Sequence, residues 1–382
     1  MNSRSCSLIA LTLAATSLAA CGSPGPAEPP PLSEEALAAV TADAGAPTQA
    51  LAREVDELFT MEGLGETRAL IVLHDGRIAA ERYADGYDAD MRLVSWSMAK
   101  TVTGILIGQL VGDGLLRLDA PAPVPRWQRS GDPRADITLR HLLQMRSGLE
   151  HTEAGDPPYE SAEVRMLFLD GRDDMADYAT AQPPEAEPGA KFEYSSNTTV
   201  ILADIAARAL TDSSDTDVRR RVVSDYLHAR LFDPLDMESM VLEFDRSGTL
   251  IGGSLMHATA RDWAKLGELL RRKGSHRGEQ LVPRSWVAEM VKPSPKAAHY
   301  GLQTWLNRPL DSEGDGKAEH PLFPDRAPHS AFSMIGHMGQ YVFVSPEQGL
   351  TIVRLGHSNR EERIAMLRQL ADVVELYPAE GR

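Results

Sequence analysis

Ser97 and Lys100 stand three residues apart at the front of "SMAKTVTGILIGQLV", a run that is otherwise almost wholly apolar. Residues three apart share one helix face, so the Lys100 amine can lie against the Ser97 hydroxyl one turn away. Such a pair is a nucleophile with its base. Burial in the apolar run disfavours the ammonium form of the lysine, and a neutral amine can take the serine proton. A serine near a helix start also meets the positive end of the peptide dipoles, which favours an alkoxide. The plainer alternative is a polar first turn with a solvated lysine. Ser-x-x-Lys recurs by chance, yet of the seven lysines only Lys100 has a serine three residues before it.

The elements that must hold this pair can be read from the chain around it. Leu51 to Glu62 has the apolar spacing of an amphipathic helix. "RALIVLHDGRIAAERYADGY" is strand, Asp75-Gly76 tight turn and strand, a hairpin. "ITLRHLLQMRSGL" predicts a helix capped at Thr138 and stopped by Gly148, and Asn197 to Leu210 predicts another. Thr259 and Asp262 have capping-box spacing at the start of a third. Two apolar strands flank the Pro-Glu-Gln-Gly turn of "GQYVFVSPEQGLTIVRLGHS", and a last helix spans about Arg360 to Tyr377. Gly104 and Gly108 suit close helix packing, the run being too short to span a bilayer. Strands early and late with helices between predict an α+β fold. Its antiparallel sheet, flanked by helices, draws on about 49–95 and 250–382. A mainly helical region, about 96–249, is inserted, and the cleft lies between the two.

Five blocks carry a resemblance: "WSMAKTVTGILIGQLVGDGLLRLDAPAPVP", "ITLRHLLQMRSGLE", "PGAKFEYSSNTTVILADIAA", "GGSLMHATARDWAKLG" and "IGHMGQYVFVSPEQGLTIVRLG", in that order. Together they resemble the penicillin-recognising serine hydrolases: class C β-lactamases, family VIII esterases, D-amino-acid peptidases and 6-aminohexanoate-dimer hydrolases. The resemblance runs from about Arg68 to Leu355. It implies a β-lactamase/transpeptidase-like fold and acyl-enzyme chemistry, with Ser97 acylated and Lys100 its partner. Tyr194, in "EYSSN", matches the phenol that passes a proton to the leaving group, and an adjacent ammonium should ease its ionisation.

Two departures from the family pattern bear on substrate. Tyr-x-Asn is absent; Ser196 stands two after the tyrosine and Asn197 follows, both candidates to grip a substrate carbonyl. This spelling is closer to the aminohexanoate-dimer hydrolases. Lys-Thr-Gly is replaced by His337-Met338-Gly339. His337 would be mostly neutral at pH 7 without an acid beside it. Gly339 permits close approach of substrate, and the Gln340 and Ser97 N–H groups are the expected oxyanion donors. The resemblance implies cleavage of an ester or amide. β-Lactamase or D-amino-acid peptidase activity, and a non-catalytic sensor of β-lactams or cell-wall peptides, are the alternatives; the missing lysine counts against the β-lactam. The loop Asn307 to Phe332 precedes the third block and is either a wall of the cleft or an ordinary surface loop.

Composition limits the partners. A net charge of -16 disfavours nucleic acid or an anionic membrane surface as the main partner but does not by itself select a substrate; the resemblance implies a small-molecule ester, amide or short peptide. At the N-terminus Arg4, the apolar Leu8 to Ala20 and "LAAC" resemble a bacterial lipoprotein signal. The expected organisation is a signal peptide over 1–20, lipidated Cys21, a Pro/Ala-rich tether over 21–48 and a hydrolase domain over 49–382. This places the protein in the cell envelope, on the periplasmic side and lipid-anchored; Gly22 in place of aspartate favours the outer membrane. Cys6 and Cys21 are the only cysteines, so neither a disulfide framework nor a thiolate zinc site is expected. No His-Glu-x-x-His or ligand-spaced cluster occurs, and no metal or cofactor is anticipated. Gly-x-Ser-x-Gly is also absent, which disfavours an α/β-hydrolase.

Overall fold

The computed structural model describes residues 31–310 and 320–379. Helices α1 (Glu34–Ala38) and α2 (Thr48–Thr60) precede the hairpin β1 (Glu66–His74) and β2 (Arg77–Tyr83). A short β3 (Leu93–Val94) leads into α3 (Ala99–Gly112). The helical region holds α4 (Leu139–Leu143), α5 (Ala162–Phe168), α6 (Met175–Ala181), α7 (Ser196–Leu210) and α8 (Thr216–Leu227). Then come β4 (Val241–Leu242), β5 (Met256–Ala258), α9 (Ala260–Arg271), β6 (Ser275–His276), β7 (Glu279–Gln280) and α10 (Arg284–Met290). β8 (Trp305–Leu306), β9 (Phe332–Gly336), β10 (Gln340–Ser345), β11 (Leu350–His357) and α11 (Arg360–Glu375) complete the chain.

The main sheet has the order β2-β1-β11-β10-β9-β8, and all its pairings are antiparallel. Its central strands are apolar on both faces because both are covered. In β10, Val342 and Val344 face one core cluster while Tyr341 and Phe343 face the other. β11 divides in the same way, with Val353 and Leu355 on one side and Leu350 and Ile352 on the other. Each such side chain, buried, stabilises by about 1.5–3 kcal/mol. Helices α2 and α11 close one face; α9 closes the other, its Gly267 leaving room for Thr351 and Val342 to approach. The fold is α+β, with β1 and β2 from the front of the chain and β8 to β11 from its end.

Helix α3 is buried from Ala99 to Leu110, which explains why it is apolar on every side and has no amphipathic stripe. Gly104 and Gly108 serve the close packing expected of them. Trp286 of α10 lies over Gly108 and donates its Nε1–H to the Gly104 carbonyl at 3.0 Å.

Two boundaries differ from expectation. The helix begun at Thr138 has its capping box with His141 but ends at Gln144, since Met145 turns left-handed (φ +56°) well before Gly148. The tether expected over 21–48 does not hold from Ser33 onward. Ser33 caps α1; Ala36, Val40 and Ala44 are buried; and the Thr41 N–H donates to Ala79 O at 2.9 Å. Small residues that read as linker by composition here pack along β2. The signal peptide and Cys21 lie outside the described residues.

Candidate active site

The turn before α3 presents Ser97. Ser95 N–H bonds to Met256 O of β5 at 2.8 Å, and Ser95 Oγ donates to Trp96 O at 2.8 Å. Trp96 then adopts φ +44°, a left-handed conformation that a bulky residue keeps only under constraint. This kink sets Ser97 at the head of the helix, facing the cleft.

Lys100 is 1% exposed, and its Nζ makes three contacts: Ser97 Oγ at 2.9 Å, Ser196 Oγ at 2.8 Å and Gly253 O at 2.9 Å. Burial holds the amine below its ordinary pKa, against the opposing pull of Glu153 and Glu163. Gly253 can come this close because it has no side chain; a Cβ there would stand 3.0 Å from Ser196 O.

Tyr194, half-buried, packs against Tyr300 and Trp305 with ring centroids 5.9 and 5.0 Å apart. Lys100 Nζ lies 4.7 Å from the centre of its ring. Its phenol pKa is raised well above the ordinary value, not lowered as expected. Burial is the main cause and Glu153 adds to it, while the Ser97 hydroxyl bonded to it pulls the other way. Desolvation of the phenolate outweighs the hydrogen bonds that would favour it.

Two substrate-contact candidates turn out to lie behind the lysine. Ser196 is 0% exposed; its Oγ contacts Glu153 Oε1 at 2.7 Å and Glu163 Oε1 at 3.0 Å, and its N–H donates to Glu153 Oε2 at 2.6 Å. Asn197 is equally buried and donates from Nδ2 to Ala162 O at 3.4 Å, tying α7 to α5. Neither grips a substrate from there. Glu153 and Glu163 belong to the site and were missed by sequence reasoning. Burial, then Glu153, pushes the Glu163 carboxyl up to about 7.

The third block is shifted as well. Strand β9 abuts the Ser97 turn, and Gly336 at its end lets the Ser95 carbonyl approach where a Cβ would clash. His337 lines the cleft, edge-on to Trp96 with ring centroids 5.5 Å apart. Burial, then Arg363, holds it below the ordinary histidine pKa, keeping it neutral at pH 7. Gly339 instead backs onto Arg354, whose Nη1 donates to its carbonyl at 2.9 Å. Gln340 pairs with Gly336 in the ladder, and its side chain is turned to Gly356. The face toward Ser97 is therefore Ile335-Gly336-His337.

The cleft has a volume of about 500 Å³. Trp96, Tyr194, Trp305 and Ile335 line it, and Val164, Leu167 and Phe168 of α5 add an apolar wall. The described part of the 307–332 loop is not this wall. Asn307, buried, holds it by donating to Ala327 O (3.2 Å) and Pro328 O (3.1 Å) and accepting from Phe323 N–H (3.1 Å). Leu322, Phe323 and Ala327 pack into the core cluster that contains α11.

The β-lactamase family model matches residues 60–375. A 6-aminohexanoate-dimer hydrolase from Paenarthrobacter ureafaciens is 25% identical over 242 residues, 61% of this chain and 59% of that protein, so the match spans under two thirds of the relative. Among solved structures, a Bacillus anthracis protein provisionally described as a 6-aminohexanoate-dimer hydrolase superposes with a TM-score of 0.63 at 24% identity, covering 82% of this chain and 80% of its own. EstCE1, a hydrolase with promiscuous acyltransferase activity, gives 0.62 at 18% identity over 86% and 99% of the two chains. With the family model spanning most of the folded chain, this protein belongs to the β-lactamase family of serine hydrolases.

Proposed function

We propose that the protein cleaves an ester or amide through an acyl-enzyme on Ser97. The observation that carries this is the 2.9 Å contact between the Ser97 hydroxyl and a lysine amine stripped of water. Neutral Lys100 takes the Ser97 proton as Oγ bonds to the substrate carbonyl carbon. The tetrahedral oxyanion is held by the Ser97 N–H and by the His337 N–H, which replaces Gln340 because His337 lines the cleft and Gln340 does not. The proton passes from Lys100 through the Tyr194 phenol to the leaving group as the acyl–leaving-group bond breaks. Water, deprotonated by the same pair, then attacks the ester carbon and releases the acid.

A short linear amide is the first substrate to test, since the curated relative is a 6-aminohexanoate-dimer hydrolase. A second reading, a β-lactam or D-amino-acid peptide, is favoured by Arg363. This cation lines the cleft, and no carboxylate among the described residues lies within 4.0 Å of it to neutralise it, so it could meet a substrate carboxylate. Turnover of p-nitrophenyl esters, linear amides and nitrocefin separates the classes. Ser97→Ala should abolish turnover and fluorophosphonate labelling with the fold intact; full turnover by that variant would overturn the mechanism. Labelling of the wild type without turnover would instead favour a sensor. From "LAAC" at 18–21 we also propose a lipid anchor on Cys21 in the cell envelope, tested by detergent partitioning of wild type against Cys21→Ala.

A further inference from the structure

Three groups meet at one buried hydroxyl. Ser196 Oγ lies 2.8 Å from Lys100 Nζ, 2.7 Å from Glu153 Oε1 and 3.0 Å from Glu163 Oε1. A hydroxyl has one proton to give and can accept two hydrogen bonds. When Lys100 acts as base its lone pair takes the Ser97 O–H. Its two N–H bonds then go to Gly253 O, which only accepts, and to Ser196. Ser196 gives its own proton to one carboxylate. The remaining contact is a hydrogen bond only if the other carboxyl brings a proton of its own.

The two acids are not equivalent. Glu153 accepts from Ser196 on both oxygens, the N–H on Oε2 at 2.6 Å and the hydroxyl on Oε1 at 2.7 Å. Glu163, on α5, is half-buried at the edge of the cleft, and its carboxyl has Ser196 as its hydrogen-bond partner. We propose that Glu163 is a carboxylic acid in the competent site, donating to Ser196 Oγ, and that through Ser196 it positions Lys100 as a neutral amine. The inference rests on the assignment of Lys100 as base.

The consequence is a one-proton choice. A proton on Glu163 leaves the amine free to act. Transfer of that proton to Lys100 makes a carboxylate and an ammonium, leaves the total charge unchanged, and blocks the base. The groups facing Glu163 are Glu153 from the 150–157 segment, Lys100 from α3, and Tyr194 with Ser196 at the start of α7. His337 and Arg363 line the same cleft. Burial and the Glu153 charge both work to keep Glu163 protonated, in keeping with the hydrogen-bond count.

Glu163→Gln tests this, since the amide donates to Ser196 as the acid does but cannot ionise. Its kcat/KM profile should keep the acid limb of the wild type to within about half a unit, because the acid and the amide are both uncharged. A limb moved to lower pH by about one unit or more, as loss of a carboxylate that stabilises the Lys100 ammonium would move it, overturns the proposal. Infrared spectra at about pH 6, below the neutral range, should show a carboxylic acid C=O band in wild type that is absent from Glu163→Gln. The same band should persist in Ser97→Ala, which needs no turnover to be read. Identical spectra for wild type and Glu163→Gln overturn the proposal, whereas an active Ser97→Ala would overturn only the acyl-enzyme. Should Glu163→Gln fail to fold, Ser196→Ala serves: loss of the acceptor must shift the band, and an unshifted band overturns the assignment.

Discussion

Alanine at Gly336 probes how closely strand and nucleophile must meet. A Cβ there would clash with the Ser95 carbonyl oxygen and stand 2.9 Å from Gln340 Cβ, inside the 3.0 Å below which real Cβ atoms essentially never approach. Neither neighbour can swing aside. One is backbone of the Ser97 turn, and the other belongs to a residue whose amide is bonded to Gly356. The end of β9 must back off by roughly 1 Å, and a misplacement of that size costs on the order of 100-fold in rate. Overpacking adds about 1–3 kcal/mol of destabilisation. Ester turnover and a denaturant midpoint measured together check both numbers. Gly86→Ala is the control: nothing lies within 4 Å of its Cβ, and its φ of +84° carries only backbone strain. It should lose about 1 kcal/mol of stability and no activity. If Gly336→Ala kept activity within about threefold of wild type, the close approach would have no part in catalysis.

The raised phenol of Tyr194 predicts a protonated resting state. Ultraviolet titration of wild type minus Tyr194→Phe should show no phenolate signal up to about pH 10. A difference signal near neutrality would contradict it. Asn307→Ala leaves the buried Phe323 N–H without its acceptor, and should lower unfolding stability by about 2–3 kcal/mol. Because Asn307 packs away from the cleft, ester KM should hold; a large KM change would return that loop to the cleft.

The sheet was legible because β1, β10 and β11 carry mainly apolar runs and the turns at Asp75-Gly76 and Pro346 to Gly349 mark where strands reverse, and both signals are local. Ser97 and Lys100 could be placed side by side from their spacing alone, whereas Tyr194 was reached only through the resemblance of its block. The acids were not legible. Glu163 sits two residues after the cap Ser161, where an acid is ordinary first-turn chemistry, and Glu153 lies in a proline-rich connection without periodicity. Only tertiary closure brings both onto Ser196. The third block misled for another reason. "IGHMGQ" offers two glycines three apart, and the hairpin puts Gly336 at the nucleophile and Gly339 on Arg354. Spacing along the chain cannot tell which side of a turn faces a neighbour.

The pairing of β1 with β11 sets when, as well as how, the site comes to exist. Glu66 meets His357 and His74 meets Leu350, so the sheet closes a loop of well over two hundred residues. The strand that abuts Ser97 lies between the two, near the end of the chain. A nascent chain with α3 already made therefore has serine and lysine on one helix but no β9 beside them. Contacts of such sequence separation form late and slowly. Reactivity should arrive in one step, once β9 to β11 have been made, and any truncation that removes β11 should remove the active site with it.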